Sequence, residues 1–355
     1  MRLETARRIE STRHSPLATQ PRYTQPMTHT ASFEGVQDAA RQIAGVAVRT
    51  PLIESPALNE RLGGRVLLKA ETLQRAGAFK FRGAYNRISR LTDEEKTRGV
   101  VAYSSGNHAQ AVAAAARMVG TRSVIVMPAD SPKVKVEGVI DFGGEVRFYD
   151  RYSESREAIG EEIARTRGSV LVRPFDDPFI IEGQGTTGLE IVEQARAVSA
   201  DLDQLLCGAS GGGLIAGINL SMAARSPSTR VIGVEPREYN DTELSLAAGE
   251  RLTYAPPQSP SICDALMSDR PGELTFPINR RLDRVVTVTD AEAAEAVRYA
   301  FRTLKLVVEP GGAVSLAAIL SGKVETKGLT TAVVLSGGNI DPSLFAEIIE
   351  GRFAG

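Results

Sequence analysis

Short apolar runs alternate with amphipathic stretches along most of the chain. The apolar runs have the length of β-strands and lie at residues 66–69, 99–103, 123–127, 145–149, 204–207, 231–234 and 331–336. Apolar positions recur with helical spacing at 33–43, 110–118, 155–166, 189–197 and 291–304. This alternation predicts an α/β fold built on open parallel sheets, in which sites gather at the carboxyl ends of the strands.

Residues 1–30 break this pattern. They contain five arginines and three prolines but only two acidic residues, and their apolar residues show no period. A segment of this kind cannot bury a core, so we expect a disordered tail. We also expect translation to begin at Met27, because a predicted helix follows it closely.

Composition and charge limit the partners of this chain. Its 355 residues include 42 basic and 43 acidic side chains, which give a formal net charge of -1. This balance provides no attraction to nucleic acid or to an anionic membrane, and no apolar run is long enough to span a bilayer. We therefore expect a small-molecule ligand, no nucleic-acid or membrane partner and, with only two cysteines, a cytoplasmic location.

The histidines argue against two common kinds of catalytic site. His14 and His29 lie in the predicted tail, so the body of the chain retains only His108. One histidine cannot form a His-rich zinc site. A Ser-His-Asp hydrolase is disfavoured because the sequence has no G-x-S-x-G turn.

Lys80 is the first candidate for chemistry. It lies in the segment 71–84, which follows a predicted strand and opens a predicted helix. The positive end of the helix and partial burial both lower the pKa of an amine, which suits a lysine for imine formation with an aldehyde. A surface lysine whose amine extends into water is the alternative interpretation.

The segment 104–110, Ser-Ser-Gly-Asn-His-Ala-Gln, makes a second strand-to-helix turn. Its hydroxyl and backbone N–H groups predict a cradle for a substrate carboxylate, formed by Ser104, Ser105, Asn107 and His108. The Asn107 amide is also suited to donate to a phenolic oxygen. An ordinary serine N-cap is the alternative.

The segment 207–217 places three consecutive glycines between a predicted strand and a predicted helix. Backbone amides can approach an anion closely in such a turn, which predicts a phosphate site at Ser210, Gly211, Gly212, Gly213 and Leu214. The same glycines, with Ala216 and with Glu235 after the next strand, also fit a dinucleotide fingerprint. A nicotinamide-dependent oxidoreductase is therefore an alternative.

Ser336 precedes two glycines at the end of the last predicted strand. A serine hydroxyl can hydrogen-bond a pyridine nitrogen but, unlike an aspartate, cannot hold it protonated. A simple glycine turn would explain the glycines but not the hydroxyl.

Taken together, the segments 79–84, 105–110, 210–214 and 336–339 resemble the serine/threonine dehydratase and serine racemase family, which includes the 3-hydroxyaspartate dehydratases. Their order and spacing match, and further likeness at 183–186 and 308–310 extends the resemblance over residues 35–350. The resemblance implies a pyridoxal 5′-phosphate enzyme of the tryptophan synthase β type.

That fold has two open parallel-sheet domains with the cofactor in the cleft between them. The large cofactor-binding domain would comprise residues 31–90 and 176–355, and the small substrate-binding domain residues 91–175. We also expect a homodimer or a homotetramer.

The resemblance assigns a role to each candidate segment. Lys80 would carry the cofactor as a Schiff base, and Phe79 would lie against its ring. Asn107 would meet the ring oxygen, Ser336 the ring nitrogen, and residues 210–214 the phosphate.

The implied reaction is β-elimination from a β-hydroxy amino acid such as L-threonine, L-serine or 3-hydroxyaspartate, with release of a 2-oxo acid and ammonia. Lys80 would remove the Cα proton. Ser105 stands where the racemases keep a second acid/base, so a serine or aspartate racemase is the alternative. Ala76 and Ala78 replace hydroxyl residues of the best-known dehydratases, which leaves the choice of substrate open.

Residues 235–241 resemble the loop in which racemases and hydroxyaspartate dehydratases bind Mg²⁺ or Ca²⁺. Glu235, Asp241 and the Tyr239 carbonyl would be the protein ligands, which suits a hard cation. A pair of solvated loop carboxylates is the alternative.

Overall fold

The computed structural model describes residues 29–104, 106–131, 133–253 and 261–353. The elements named below belong to the unit that begins at Ala31. Nearly all of the predicted tail lies outside the described residues, including the expected start at Met27. Ser105 also lies outside them.

Two sheets are built from strands that alternate with helices in the described part of the chain. In chain order the strands are β1 Leu52–Glu54, β2 Arg65–Ala70, β3 Val100–Tyr103, β4 Ser123–Pro128, β5 Glu145–Tyr149, β6 Val170–Leu171, β7 Gln204–Gly208, β8 Arg230–Pro236, β9 Arg284–Val288 and β10 Thr330–Leu335. The larger sheet has the order β1-β2-β10-β7-β8-β9, and the smaller sheet the order β5-β4-β3-β6. The seven predicted strands are confirmed, whereas β1, β6 and β9 were not predicted.

Neighbouring strands pair in parallel in both sheets, with one correction at the edge of the larger sheet. There β1 runs antiparallel to β2, with Leu52 opposite Lys69. A parallel pair needs a crossover connection of a dozen or more residues, and the residues 55–64 that join β1 to β2 are too few. The predicted α/β fold with two open parallel sheets is confirmed in its other strand pairs.

Helices follow most strands. In chain order they are α1 Phe33–Gln42, α2 Pro56–Leu62, α3 Lys80–Ile88, α4 Asp93–Arg98, α5 Asn107–Val119, α6 Lys133–Asp141, α7 Arg156–Arg167, α8 Pro178–Ala197, α9 Gly213–Arg225, α10 Asp241–Ala248, α11 Thr275–Asn279, α12 Asp290–Tyr299, α13 Pro310–Leu320 and α14 Pro342–Glu350. A π-helical turn, Ala300–Leu304, extends α12. The five predicted helices are confirmed.

Helix α8 begins much earlier than its apolar pattern indicates. Asp177 caps it by accepting backbone hydrogen bonds at its first turn. Glycines in its first half weaken the sequence pattern but allow close packing, since Gly183 lies against Gly83 of α3 and Gly185 against Gly217 of α9. Helix α8 therefore holds together the helices that begin at Lys80 and at the glycine-rich loop.

The candidate segments follow the carboxyl ends of neighbouring strands. In the larger sheet β10 lies between β2 and β7, so the segments after these three strands meet at one edge. The four strands of the smaller sheet lie between residues 100 and 171. The domain boundaries expected near residues 91 and 175 remain a prediction. Among the described residues, no helix has both the length and the apolar character that crossing a bilayer requires.

Candidate active site

Hydrogen bonds join the candidate segments that follow β2, β3 and β10. The backbone N–H of Phe79 donates to the carbonyl of Ser336 at 3.0 Å. The side-chain amide of Asn339 donates to the carbonyl of Ala76 and to Oδ1 of Asn107, both at 2.8 Å. The lysine, asparagine and serine segments therefore meet at one place, although they are far apart in the sequence.

Lys80 begins α3 and is partly buried. Its Nζ donates to the carbonyl of Pro174 at 2.7 Å and lies 5.2 Å from the centroid of the Phe79 ring. Burial lowers the pKa of Lys80 to about 8. The predicted position at a helix start is confirmed, and the alternative of a lysine extended into water is wrong.

The glycine-rich loop joins β7 to the start of α9. Gly212 has a φ of 90°, a conformation that favours glycine. The carbonyl oxygen of Gly211 accepts from Thr275 Oγ1 at 2.7 Å, and that of Gly212 from Asn279 Nδ2 at 3.2 Å. With these carbonyls directed at α11, the N–H groups of the first turn of α9 are suited to an anion.

Phe175 connects this loop to the lysine. Its ring packs so closely on Gly211 that a Cβ there would collide with it. Phe175 directly follows Pro174, whose carbonyl accepts the hydrogen bond from Lys80. The lysine amine and the glycine-rich loop therefore flank the same short segment.

The turn between β3 and α5 has an unusual cap. Gly106 occupies the N-cap, and no side chain among the described residues caps the helix. Ser104 Oγ accepts instead from the N–H of Gly106 at 3.2 Å. The serine N-cap considered as an alternative is thus absent from the described part of this turn, and the first amides of α5 suit an anion.

His108 has a buried, neutral ring. Its Nε2 donates to the carbonyl of Val172 at 3.0 Å, and within the described structure its Nδ1 has no hydrogen-bond partner. Burial, followed by the charge of Lys80, lowers the pKa of His108 to about 3. Any contribution of His108 to a carboxylate cradle would therefore come from its backbone N–H rather than from a charged ring.

The strand end at Ser336 passes close to other segments. Ser336 is only 9% exposed, and its N–H donates to the carbonyl of Gly312 at 3.3 Å. A Cβ at Gly337 would collide with the Glu309 carboxylate and would lie 3.1 Å from Nδ2 of Asn107. The close approach of Glu309 and Asn107 to the backbone explains why a glycine follows Ser336.

The predicted cation loop is buried rather than solvated. Glu235 and Asp241 are both fully buried, so the alternative of solvated loop carboxylates is wrong. Glu235 accepts backbone hydrogen bonds from Thr242 at 3.1 Å and Glu243 at 3.0 Å. A carboxylate engaged at the start of α10 is not available to a ribose, which argues against the dinucleotide alternative.

Asp241 has no such partners. Neither of its carboxylate oxygens has a hydrogen-bond partner in the described part of the chain. Burial and repulsion from Glu235 raise the pKa of Asp241 to about 8, and burial raises that of Glu235 to about 7. No group of three or more His, Cys, Asp or Glu side chains that could hold a metal occurs among the described residues. The expected ligand set has only two such side chains, Glu235 and Asp241, because its third ligand is the backbone carbonyl of Tyr239.

Glu309 is the main site residue that the sequence analysis left without a role. It is 1% exposed, and its Oε1 accepts a hydrogen bond from Asn107 Nδ2. Burial raises the pKa of Glu309 to about 7, while the nearby Lys135 opposes this rise and Asp264 adds to it. Two sequence signals point to it: the likeness to the family at residues 308–310, and an acidic residue directly before Pro310 at the start of an apolar helix.

A buried group of four charges supports the lysine helix. Arg82, on the first turn of α3, donates to Glu71 Oε1 at 2.8 Å and to Glu190 Oε1 at 2.7 Å. Lys69 donates to Glu190 Oε2 at 2.6 Å. Burial alone would raise the pKa of Glu71, but Arg82 and then Lys69 lower it below its ordinary value. The group ties α3 to β2 and α8.

This arrangement combines an amine with a lowered pKa, a loop suited to an anion, and a side-chain amide at a buried junction. An amine of this kind can attack an aldehyde, and the loop can hold a phosphate on the same molecule.

Comparisons with known proteins agree with this geometry. The family described as "Pyridoxal-phosphate dependent enzyme" matches residues 43–337. L-threo-3-hydroxyaspartate ammonia-lyase of Saccharomyces cerevisiae is 38% identical over 322 residues, which cover 90% of this chain and 97% of that protein. Serine racemase of Arabidopsis thaliana is 40% identical over 319 residues, which cover 88% of this chain and 94% of that protein.

A solved structure of a serine racemase also matches this chain. The structure of maize serine racemase matches with a TM-score of 0.84 and 36% sequence identity, and the match covers 91% of this chain and 98% of that one.

Proposed function

This chain belongs to the pyridoxal-phosphate-dependent enzyme family, and from that premise we propose that it is an ammonia-lyase acting on a β-hydroxy amino acid. The observation that carries the proposal is the partly buried amine of Lys80 at a helix start, which donates to the carbonyl of Pro174 next to the phenylalanine, Phe175, that packs on the glycine-rich loop. Similarity over 90% of the chain to an ammonia-lyase supports the same activity.

The residues present fit pyridoxal phosphate. The amine of Lys80, whose pKa burial lowers, suits an imine with the aldehyde. Residues 210–214 suit the phosphate because no side chain among the described residues caps the N–H groups at the start of their helix. Asn107 would donate to the ring oxygen and Ser336 to the ring nitrogen, with Phe79 beside the ring. These roles rest on the resemblance and on the meeting of the segments.

Lys80 would act twice. It would hold the cofactor through the imine and, once released by the amino group of the substrate, would take the Cα proton as the general base. When bound, pyridoxal phosphate supplies an electron-accepting ring that stabilises negative charge at Cα. A neutral Ser336 hydroxyl at the ring nitrogen would limit that stabilisation and favour departure of the β-hydroxyl over other outcomes.

The substrate carboxylate would lie at the start of α5. Ser104 and the backbone N–H groups of Asn107 and His108 belong to this turn, and α5 has no described side-chain cap. A helix start of this kind favours an anion. Ser105 is proposed for the same cradle on the sequence alone.

The substrate class follows from the relatives. One is the L-threo-3-hydroxyaspartate ammonia-lyase of Saccharomyces cerevisiae, and another is an L-threonine ammonia-lyase of Thermotoga maritima, which is 38% identical to this chain. We therefore place L-threonine and 3-hydroxyaspartate in the substrate class of this chain, and L-serine with them because it is also a β-hydroxy amino acid.

A racemase is the second candidate function. Serine racemase of Arabidopsis thaliana is 40% identical to this chain, and Ser105 supplies a hydroxyl at the position expected for a second acid/base. Interconversion of serine or aspartate enantiomers is therefore a candidate side activity.

A divalent cation is proposed at the loop of residues 235–241. Asp241 fits a cation because both its oxygens are buried without described hydrogen-bond partners beside a second buried carboxylate. Glu235, Asp241 and the Tyr239 carbonyl would hold Mg²⁺ or Ca²⁺. The cation would neutralise two adjacent buried charges.

We also propose the domain organisation, the assembly and the location of the protein. Residues 91–175 would form the small domain, and residues 31–90 and 176–355 the large one, with the cofactor between them. A homodimer or homotetramer in the cytoplasm is the expected setting.

Release of 2-oxo acid tests the proposed activity. The enzyme loaded with pyridoxal phosphate is assayed with L-serine, L-threonine and both diastereomers of 3-hydroxyaspartate, and Lys80→Ala is the matched control. We expect release from at least one substrate and a loss of several orders of magnitude in the variant. Equal release by the variant, or none from any of these substrates, would contradict the proposal.

A further inference from the structure

A chain of hydrogen bonds runs from the carbonyl of Ala76 through Asn339 and Asn107 to Glu309. The Ala76 carbonyl can only accept, so Asn339 must direct its NH₂ group toward it. The same NH₂ group donates to Oδ1 of Asn107 at 2.8 Å. Asn107 consequently directs its own NH₂ group at Oε1 of Glu309.

Glu309 stabilises the same orientation of the Asn107 amide from the side opposite Asn339. If the Asn107 amide were flipped, its NH₂ group would face that of Asn339, and its oxygen would face the Glu309 carboxyl group. The first contact is repulsive, and the second is repulsive when Glu309 is ionised. One N–H of Asn107 is thus committed to Glu309, and the other remains to donate to a ligand.

The carboxylate of Glu309 is directed away from its own helix. Glu309 occupies the N-cap of α13 but makes no side-chain cap hydrogen bond. Its backbone N–H donates to the carbonyl of Gly337 at 3.0 Å, which fixes the residue beside the strand end that carries Ser336. A buried carboxylate is costly unless it is hydrogen-bonded, and its described hydrogen bond goes to Asn107.

Other charges surround the same junction. Lys135 of α6 forms an ion pair with Asp264, which lies in the 3₁₀ turn Asp264–Leu266, and both act on Glu309 through their charges. Lys135 is 4% exposed, and its Nζ would lie 3.3 Å from a Cβ at Gly106. Hence the junction around Asn107 and Glu309 connects the turn between β3 and α5 to the start of α13 and the end of β10. The strand β3 belongs to the smaller sheet, and β10 belongs to the larger sheet.

We propose that Glu309 is a positioning residue that locks the Asn107 amide in the one orientation that leaves an N–H for the ring oxygen of the cofactor. Glu309 touches neither substrate nor cofactor in this role and acts through Asn107. The inference rests on the proposed function, because it requires Asn107 to meet that ring oxygen.

A double-mutant cycle tests this role without relying on turnover. The dissociation constant of pyridoxal phosphate and the pH at which its visible absorbance band changes are measured for the wild type, Glu309→Ala, Asn107→Ala and the double variant. We expect Glu309→Ala to weaken cofactor binding about tenfold and to move the absorbance titration, since one hydrogen bond to the ring is lost. In the Asn107→Ala background the same change should have no further effect.

Two further variants separate the effect of Asn107 orientation from the effect of the negative charge on Glu309. Glu309→Gln keeps an oxygen that can accept from Asn107, so it should restore cofactor affinity to within about twofold of the wild type. Asp264→Asn removes a carboxylate from the same junction without touching Asn107, so it should shift the absorbance titration less than Glu309→Ala does. Thermal melting confirms that each variant is folded.

Additive effects of Glu309→Ala and Asn107→Ala would overturn the inference, as would a Glu309→Gln protein as impaired as Glu309→Ala. The second result would assign the effect to charge rather than to amide orientation. A wild-type protein that binds no pyridoxal phosphate would contradict the proposed function and this inference together. Normal wild-type binding with an unaffected Glu309→Ala protein would contradict this inference alone.

Discussion

The backbone N–H of Phe79 donates to the carbonyl of Ser336 at 3.0 Å, which fixes the residue before the lysine against the end of β10. Ala78 and Gly337 pair beside it as an isolated antiparallel bridge. Because these are backbone contacts, they hold the start of α3 independently of side-chain motion. The position of Lys80 is therefore set by the larger sheet.

The buried charge group should dominate the stability of this region. Replacing Arg82 by Met leaves Glu71 buried without its main partner, so Arg82→Met is expected to lower the free energy of unfolding by about 3–5 kcal/mol. The matched control is Arg65→Met, whose ion pair with Glu54 is about one-third exposed and should contribute only about 0–1 kcal/mol. Urea denaturation measures both. Equal effects of the two substitutions would contradict the account of the buried group.

Divalent cations should stabilise the folded protein. A cation that binds only the native state raises stability by about 2.7 kcal/mol at a concentration one hundred times its Kd, so Mg²⁺ or Ca²⁺ should raise the melting temperature and a chelator should lower it. Asp241→Asn should abolish the difference between the two conditions. Glu238→Gln, in the same loop but paired with Arg237, is the control that should retain it. Melting that is identical with cation and with chelator would refute the proposed cation site.

The two candidate reactions should separate at Ser105. A racemase must reprotonate Cα from the face opposite Lys80, whereas elimination from an L-substrate needs only Lys80 for proton removal. Ser105→Ala is therefore expected to lose L-to-D interconversion and elimination of D-substrates while keeping most elimination of the L-substrate. Chiral chromatography measures the interconversion of enantiomers, and 2-oxo acid release measures elimination. Loss of L-elimination with racemisation intact would show that Lys80 is not the base.

Local patterns were enough to predict seven of the ten described strands, five of the described helices and the helix start at Lys80. The apolar run 66–69 and the helix predicted to open in the segment 71–84 depend on neighbouring residues, and they correspond to β2 and α3. The edge strand β1 and the two-residue β6 were too short to produce a pattern.

The parts that could not be predicted depend on residues distant in sequence. Asn107 and Glu309 are separated by 202 positions, and nothing near either residue indicates their hydrogen bond. Glu235 fitted a ribose-binding acidic residue by spacing, yet the fold directs it at the first amides of α10. The early start of α8 was hidden because its glycines serve packing against α3 and α9 rather than helix formation.

Borohydride reduction followed by peptide mass spectrometry identifies the lysine that carries pyridoxal phosphate. Reduction converts an imine into a stable amine and so marks the lysine that carries the cofactor. We expect the wild-type enzyme to carry the reduced cofactor on Lys80 and the Lys80→Ala protein to carry none. Modification of another lysine, such as Lys135, or a wild-type protein without covalently bound cofactor, would contradict this expectation.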